Sequence, residues 1–352
     1  MKQGKTSLTA LAAELDRQSK TKKDYKAPTT QLQLEPDGQL RINDHGKFEP
    51  TALMHDQLGA WAGIPTKYYD KMKLETPALL ATNLNHWLQA KKETRLVRTL
   101  DGRARAFLSN RYRTIDNFDV ANAALPVLIQ ESKKLGGVEV VSSEVTDNRL
   151  YIKAISKRLT FEVKKGDVVQ AGIVVSNSEV GLGSVRVEPI LFRLICLNGA
   201  ILEDLATRKF HLGRQAAELE AAVEVYRDET RRADDHAFEL KLQDVVRAAF
   251  DDAQFATIKG TLVDSTTRKI KAPIQDVVEE VGDRYHLSEA HRASFLTNLI
   301  EGGDTSQWGL ANALTAVANS AENYEAATTL ERAGGQLMTM DAGRWEELAA
   351  AA

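Results

Sequence analysis

The residues best suited to chemistry in this sequence form a dense run of cations between positions 91 and 113. The run holds eight Lys and Arg side chains against two acids, Glu93 and Asp101, and it includes the aromatic residues Phe107 and Tyr112. Guanidinium groups bind phosphates through paired hydrogen bonds, and aromatic rings stack on unpaired bases without reading their sequence. The combination therefore predicts a groove for a single-stranded nucleic acid.

Two sets of residues are expected to make the nucleic-acid contacts. The first set supplies phosphate contacts and one stacking ring: Arg95, Arg98, Arg103, Arg105, Arg111, Tyr112 and Arg113. The second set would extend the binding surface on the strands that follow: Lys153, Lys157 and Arg158. The alternative interpretation of the first set is a solvated hairpin face with Phe107 in the core.

A second pattern resembles the metal site of a nuclease. Asp147 precedes the triplet Glu162-Val163-Lys164, which imitates an arrangement where two carboxylates hold a divalent cation and a lysine stabilises the attacked phosphate. A hairpin turn at Asp147-Asn148 and a charged strand at Glu162 explain the same residues without chemistry. A divalent-metal nuclease thus stays open as an alternative.

Other enzyme patterns are not found in the sequence. There is no Gly-x-x-x-x-Gly-Lys-Ser/Thr loop, and the seven histidines show no His-x-x-His or His-Glu-x-x-His spacing, so no cofactor, no metal site and no ATP hydrolysis are expected. The lone Cys196 is expected to be a buried structural thiol, and a single cysteine fits a reducing compartment. These observations favour a non-enzymatic protein of the cytoplasm, or of the host cytoplasm if the protein is phage-encoded.

Charge is divided unevenly along the chain, although the net charge is only −3. Met1 to Arg214 carries 33 Lys and Arg against 24 Asp and Glu, a balance of +9, whereas Gln215 to Ala352 carries 13 against 25, a balance of −12. This asymmetry favours a body that binds a polyanion and an acidic tail that shields it or recruits a basic partner. No window reaches eighteen apolar residues, so no membrane partner is expected.

The elements that would position these residues predict an α+β fold with an antiparallel sheet. Three parts are expected: a mobile, basic N-terminal arm (1–30), a basic α+β body (31–213) and an acidic helical region (214–352). Turn residues predict hairpins at Pro36-Asp37-Gly38 and Asp101-Gly102. In the acidic region, apolar periodicity predicts helices over 214–256, 272–285, 289–300 and 306–332, with breaks at 260–267 and 301–305.

Three separated segments resemble the phage/plasmid-like protein family catalogued as domain of unknown function 932. They are the sequences running from Arg98 to Arg113, from Phe192 to Gly199 and from Trp308 to Thr315. The resemblance spans roughly residues 45–340, and it departs from the family pattern at Leu197, where the family often has Cys-Thr-Asn-Gly.

The resemblance implies a phage, prophage or plasmid setting without defining an activity. Mobile elements often carry ATP-independent proteins that coat and anneal single strands. The leading expectation is therefore a single-stranded DNA-binding, strand-annealing protein that assembles as a homo-oligomeric ring or filament. The alternatives are the nuclease described above and a host-directed modulator whose acidic tail mimics the charge of DNA.

Overall fold

The structure is a computed structural model that describes residue 4 and residues 7–134, 137–202, 228–250 and 252–350. Within these residues the chain forms twelve α-helices and two sheets, of six and five strands. Most strand pairs are antiparallel. The protein thus belongs to the α+β class, as the sequence predicts.

The first part of the chain alternates strands with helices. Its elements are α1 (Leu8–Thr21), β1 (Lys23–Pro28), β2 (Leu32–Leu34), β3 (Leu40–Ile42), β4 (Gly46–Pro50), α2 (Ala52–Ala62), α3 (Thr66–Glu75), α4 (Pro77–Ala90), β5 (Thr94–Leu100), β6 (Arg103–Ser109), α5 (Asn117–Lys134), β7 (Val138–Val145), β8 (Leu150–Lys164), β9 (Asp167–Asn177), β10 (Arg186–Arg193) and β11 (Asn198–Ile201). The described remainder is helical: α6 (Asp228–Ala248), α7 (Asp252–Thr267), α8 (Ile274–Arg284), α9 (Glu289–Gly302), α10 (Gln307–Val317), α11 (Tyr324–Thr339) and α12 (Ala342–Ala349).

The first sheet has the strand order β1-β5-β6-β4-β3-β2 and contains both predicted hairpins. Asp101 and Gly102, between β5 and β6, have φ of 51° and 77°. A two-residue hairpin turn with both central φ angles positive matches the twist of the flanking strands, and Asp-Gly tolerates it. Helices α2, α3 and α4 cover one face of this sheet, where they bury Leu58 and Leu84 against Val97.

The N-terminal segment is not the mobile arm that its lysines suggest. Helix α1 buries Leu11 and Leu15 in the core that contains α5, and β1 pairs antiparallel with β5 along its whole length. β1 is an edge strand, and edge strands of native sheets commonly carry lysines and proline because these residues oppose pairing with other chains. The lysine-rich composition therefore fits an edge strand as well as an arm.

The second sheet has the order β11-β10-β9-β8-β7 and is covered on both faces. One face packs Ile152 and Ile173 against Val127 of α5, and the other packs Tyr151 and Val174 in a cluster with Tyr324 of α11. Since both faces are buried, nearly every residue of β9 is buried rather than alternate ones.

The acidic helices differ in detail from the predicted ones. The predicted break at 260–267 is helical, as the end of α7, and the predicted helix 306–332 is two helices, α10 and α11. Helix α9 ends at Gly302, so the predicted break at 301–305 is confirmed for 303–305 only. Residues 214–227 of the first predicted helix lie outside the described residues, and its described part is α6 followed by the start of α7. Helices α10 and α11 bury Trp308, Leu314 and Leu337 in the same core as α5 and the second sheet.

None of the helices in the described part of the chain has the length and apolar character needed to cross a bilayer.

Candidate nucleic-acid interface

Two of the predicted phosphate-binding arginines are buried ion-pair partners inside the protein. Arg98 is 2% exposed and donates to Asp24 at 2.9 and 3.1 Å and to Asp116 at 2.6 Å. Arg98 also donates to the backbone carbonyl of Glu179 at 2.9 Å, and Arg105, 6% exposed, donates to the Glu179 carboxylate at 2.9 Å. These guanidinium groups join the first sheet to the segment after β9. Arg98 and Arg105 are therefore not available to bind phosphates as predicted, because their guanidinium groups donate to acceptors inside the protein.

Lys153 is likewise removed from the predicted surface. Its ammonium lies 2.5 Å from the carboxylate of Glu331 in α11 and 4.5 Å from the ring centre of Tyr324, and its side chain is fully buried. Burial lowers the pKa of Lys153, and the charge of Glu331 opposes that shift. This lysine holds α11 onto the second sheet instead of contacting solvent.

Four other predicted cations reach the surface, but they lie apart from one another and each has a partner. The contacts are Arg103 with Asp147 at 3.0 Å, Arg113 with Asp234 at 2.8 Å and Asp235 at 3.1 Å, Lys157 with Glu139 at 3.1 Å, and Arg158 with the backbone carbonyl of Phe250 at 3.3 Å. A continuous basic surface along the β5–β6 hairpin and β8 therefore does not form.

The remaining predicted arginines, Arg95 and Arg111, lie at the open end of the β5–β6 hairpin. Arg95 pairs across the sheet with Ser109 and, on its other side, with Ala27. Arg111 follows Ser109 by two residues, so its Cα lies within about 7 Å of that of Ser109. Several cations lie at this end of strands β1, β5 and β6, and we call them the basic end of the first sheet. They are Lys26, Lys91, Lys92, Arg95 and Arg111.

Aromatic rings lie among the cations of the basic end. The ammonium of Lys91 is 5.1 Å from the ring centre of Trp61 and 5.5 Å from that of Trp87. The guanidinium of Arg95 lies 4.7 Å from the ring centre of Phe107. Trp87 is 36% exposed. All three distances are within the limit of about 6 Å for a cation–π contact. The basic end thus combines positive charge with a solvent-exposed indole.

Most of the charge at the basic end is not neutralised within the protein. In the residues that the structure describes, Lys26, Lys92 and Arg111 are exposed and form no ion pair. The acid at this end, Glu93, lies 3.9 Å from Arg95 and accepts a hydrogen bond from the Trp61 indole. The exposed cations give this end of the sheet a positive local potential.

The ring that the sequence predicts to stack on a base, Tyr112, is engaged inside the protein. Tyr112 is half-buried, packs against the cluster of Leu96 and Leu108, and donates its hydroxyl to the backbone carbonyl of Ser178 at 3.2 Å. Burial raises the pKa of Tyr112. Sequence reasoning missed both Trp61 and Trp87. Trp87 precedes Lys91 by four residues at the end of α4, a local helical spacing that could have signalled the contact. Trp61 gave no such signal, because only the packing of α2 near the end of α4 brings its ring to Lys91.

The nuclease pattern does not come together in the fold. Asp147 precedes β8, and Glu162 lies near the far end of that strand. Leu150 pairs with Asn177 of β9 and Glu162 with Val168, so the two ends of β8 are about 30 Å apart. Glu162 accepts from the backbone amide of Gly166, and Lys164 pairs with Asp304 at 2.5 Å. Across the described ranges, no group of His, Cys, Asp and Glu is arranged to hold a metal ion.

The second and third family-like segments meet at one end of the second sheet. Arg193 donates to both carboxylate oxygens of Asp167 at 2.7 and 2.8 Å, and Asp167 also accepts from the Trp308 indole at 2.9 Å. Asn198 donates to Thr315 of α10. These contacts are internal, so most of the distinctive residues in the two segments support the fold.

Cys196 corrects another expectation, because its side chain is exposed instead of buried. It lies in the turn between β10 and β11, where Ile195 is 59% and Leu197 55% exposed, and Arg193 donates to its sulfur at 3.3 Å. Apolar neighbours in sequence suggested burial, but here they form the solvent-facing tip of a hairpin.

These elements define an α+β protein with two covered sheets and a cation–aromatic surface at the end of the first. The chain belongs to the family described as Domain of unknown function (DUF932), whose model matches residues 106–335. No curated protein and no solved structure matches the chain. The matched range includes the whole second sheet and Arg111, whereas Lys26, Lys91, Lys92 and Arg95 precede it. Most of the basic end is therefore contributed by residues outside the matched domain.

Proposed function

We propose that the protein binds single-stranded DNA at the basic end of the first sheet. The observation that carries this proposal is the Lys91 ammonium, which lies within 5.5 Å of the ring centres of both Trp61 and Trp87, with Trp87 36% exposed. Phosphates would bind the cations, and an unpaired base would stack on the open face of Trp87.

The chemistry of this surface favours single strands over duplexes. Stacking of a base on an aromatic side chain contributes about 1–3 kcal/mol, and it requires a base whose face is not already covered by its neighbours. In a duplex, those faces are stacked in the helix interior. A duplex would therefore engage only the cations of the basic end.

The wider role we propose is ATP-independent annealing of complementary strands in a phage, prophage or plasmid, by a ring or filament of identical chains. Contacts to phosphates and base faces leave the base-pairing edges free, which annealing requires. An assay with two complementary fluorescent oligonucleotides, without ATP or metal, tests this wider role separately from binding.

The binding proposal is tested by removing two exposed cations of the basic end. Each neutralised phosphate of a single strand contributes about −0.7 to the slope of log affinity against log salt, so five cations predict about −3.5. Lys92→Ala/Arg111→Ala should weaken binding to oligo-dT and reduce the slope by about 1.4. Fluorescence anisotropy at several salt concentrations measures both quantities.

The matched control is Lys165→Ala/Lys241→Ala, which removes two exposed cations that lie outside the basic end and form no ion pair within the described residues. If this control weakens binding as much as the Lys92/Arg111 variant, the basic end is not the site. If the unaltered protein does not bind oligo-dT at low salt, the proposed function is wrong.

A further inference from the structure

Arg113 is held by three side chains from helix α6 of the acidic region. Its guanidinium binds Asp234 at 2.8 Å and Asp235 at 3.1 Å, and it lies 5.8 Å from the ring centre of Phe238. Two carboxylates on one guanidinium offer it the paired acceptors that a phosphate group would offer. Helix α6 thus fills the donor face of a cation that the sequence predicts to bind nucleic acid.

The contact lies at the border of the basic end. Arg113 follows Arg111 by two residues, so their Cα atoms are within about 7 Å of each other, close to the spacing of successive phosphates in an extended strand. The carboxylates are accessible from solvent, because the Asp234 and Asp235 side chains are 64% and 71% exposed. A phosphate could therefore reach Arg113 by displacing them.

We propose that Asp234 and Asp235 of α6 make an autoinhibitory contact with Arg113. Their carboxylates occupy the Arg113 guanidinium in place of a phosphate and so restrict DNA to the basic end. This inference rests on the proposed function. A strand that extends past Arg111 must compete with the two carboxylates for Arg113. Loss of the carboxylates adds one phosphate contact, whereas the remaining surface is unchanged.

The experiment must distinguish the local contact at Arg113 from a general electrostatic repulsion between DNA and the acidic region. At physiological ionic strength charges more than about 8 Å from a phosphate are largely screened. Asp244, which pairs with Arg247 at 3.0 Å, and Asp264 are exposed acids that do not contact Arg113. Asp244→Asn/Asp264→Asn removes the same net charge from the same region and serves as the matched control.

The test compares oligo-dT binding by the full-length protein, by Asp234→Asn/Asp235→Asn and by the control, using anisotropy across a salt series. We expect the Asp234/Asp235 variant to bind on the order of tenfold more tightly at low salt, with a slope steeper by about 0.7. Adding Arg113→Ala to that variant should remove the gain, since the gain depends on this guanidinium.

The outcomes separate this inference from the proposed function. If the unaltered protein binds oligo-dT but the Asp234/Asp235 variant gains no more than the control, the autoinhibitory contact is overturned and the proposed function stands. If the gain persists without Arg113, the contact is also overturned. If none of the four proteins binds, the proposed function fails and the inference falls with it.

Discussion

Lys153 of β8 and Glu331 of α11 form an ion pair 2.5 Å long in which both side chains are fully buried, although 178 residues separate them in sequence. The pair joins the basic body to the acidic helical region at the face of the second sheet that α11 covers. Two parts of the chain with opposite net charge are thus joined by an ion pair inside the protein.

Removing one member of this pair should cost about 3–5 kcal/mol of unfolding free energy, because a buried charge is left without its partner. Lys153→Met and Glu331→Met each test this, and the double variant should recover most of the loss. Urea denaturation measures all three. Asp16→Ala, at the exposed Lys20–Asp16 pair, is the control and should cost less than about 1 kcal/mol. Equal effects at the two pairs would show that Lys153 and Glu331 are not buried.

Ending the chain at Arg214 should give an unfolded or aggregating fragment rather than an isolated basic body. The truncation removes Trp308, Leu314 and Leu337, which are buried in the same core as α5 and the second sheet. Circular dichroism and size-exclusion chromatography test this expectation. A monomeric fragment with cooperative unfolding would show that the body folds alone. For this reason the role of the acidic residues is better tested by point substitutions.

Two glycines should respond in opposite directions to alanine. A Cβ at Gly335 of α11 would lie 1.9 Å from the backbone carbonyl oxygen of Ile201 in β11, so Gly335→Ala should destabilise the protein by about 2 kcal/mol or more. A Cβ at Gly260 of α7 meets nothing within 4 Å, and Gly260→Ala should stabilise by about 0.5–1 kcal/mol. Thermal unfolding of both variants tests these two predictions. If Gly335→Ala leaves the melting temperature unchanged, the close packing of α11 on β11 is contradicted.

His55 should make stability depend on pH below neutrality. Its Nδ1 is 2.8 Å from the Tyr69 hydroxyl, and burial, aided by the charge of Lys73, lowers its pKa to about 4. The unfolded chain, with an ordinary histidine pKa of about 6.5, binds a proton first, so stability is full above that value and is lost as pH falls towards 4. The loss at pH 5 should be about 2 kcal/mol relative to pH 7.5.

Urea titrations of the protein and of His55→Gln at the two pH values isolate this effect. Other groups titrate in both proteins, and their contributions cancel in the comparison. An equal pH dependence in the two proteins would mean that His55 is protonated in the folded state at pH 5.

The elements that sequence reasoning predicts well are those with local signals. The turn between β5 and β6 is encoded by Asp101 and Gly102, whose residue types tolerate positive φ. Helix α2 is preceded by Thr51, whose hydroxyl accepts from the amide of Met54, and it is followed by Gly63 with φ of 75°. The edge strand β1 lacks such a signal, because its lysines are equally consistent with a mobile arm and with an edge strand.

The binding residues were harder to predict, because strand alternation tells which side chains share a face but not what covers that face. Arg98 and Arg105 are covered by the segment carrying Glu179, more than seventy residues later in the chain. Trp61 of α2 is brought to Lys91 by helix packing, whereas Trp87 is a local neighbour one helical turn before Lys91. Composition predicted a basic surface, whereas its position depended on long-range contacts.

The central claim, that unpaired bases stack at the basic end, is tested most directly by tryptophan fluorescence. Of the four tryptophans, Trp61 and Trp87 flank Lys91, whereas Trp308 and Trp345 are at most 1% exposed. Oligo-dT at low salt should quench the emission, and inorganic polyphosphate, which has the charge but no bases, should not. Trp61→Phe/Trp87→Phe should remove the quenching by oligo-dT. Quenching that survives this double substitution, or that polyphosphate produces equally, would contradict stacking at the basic end.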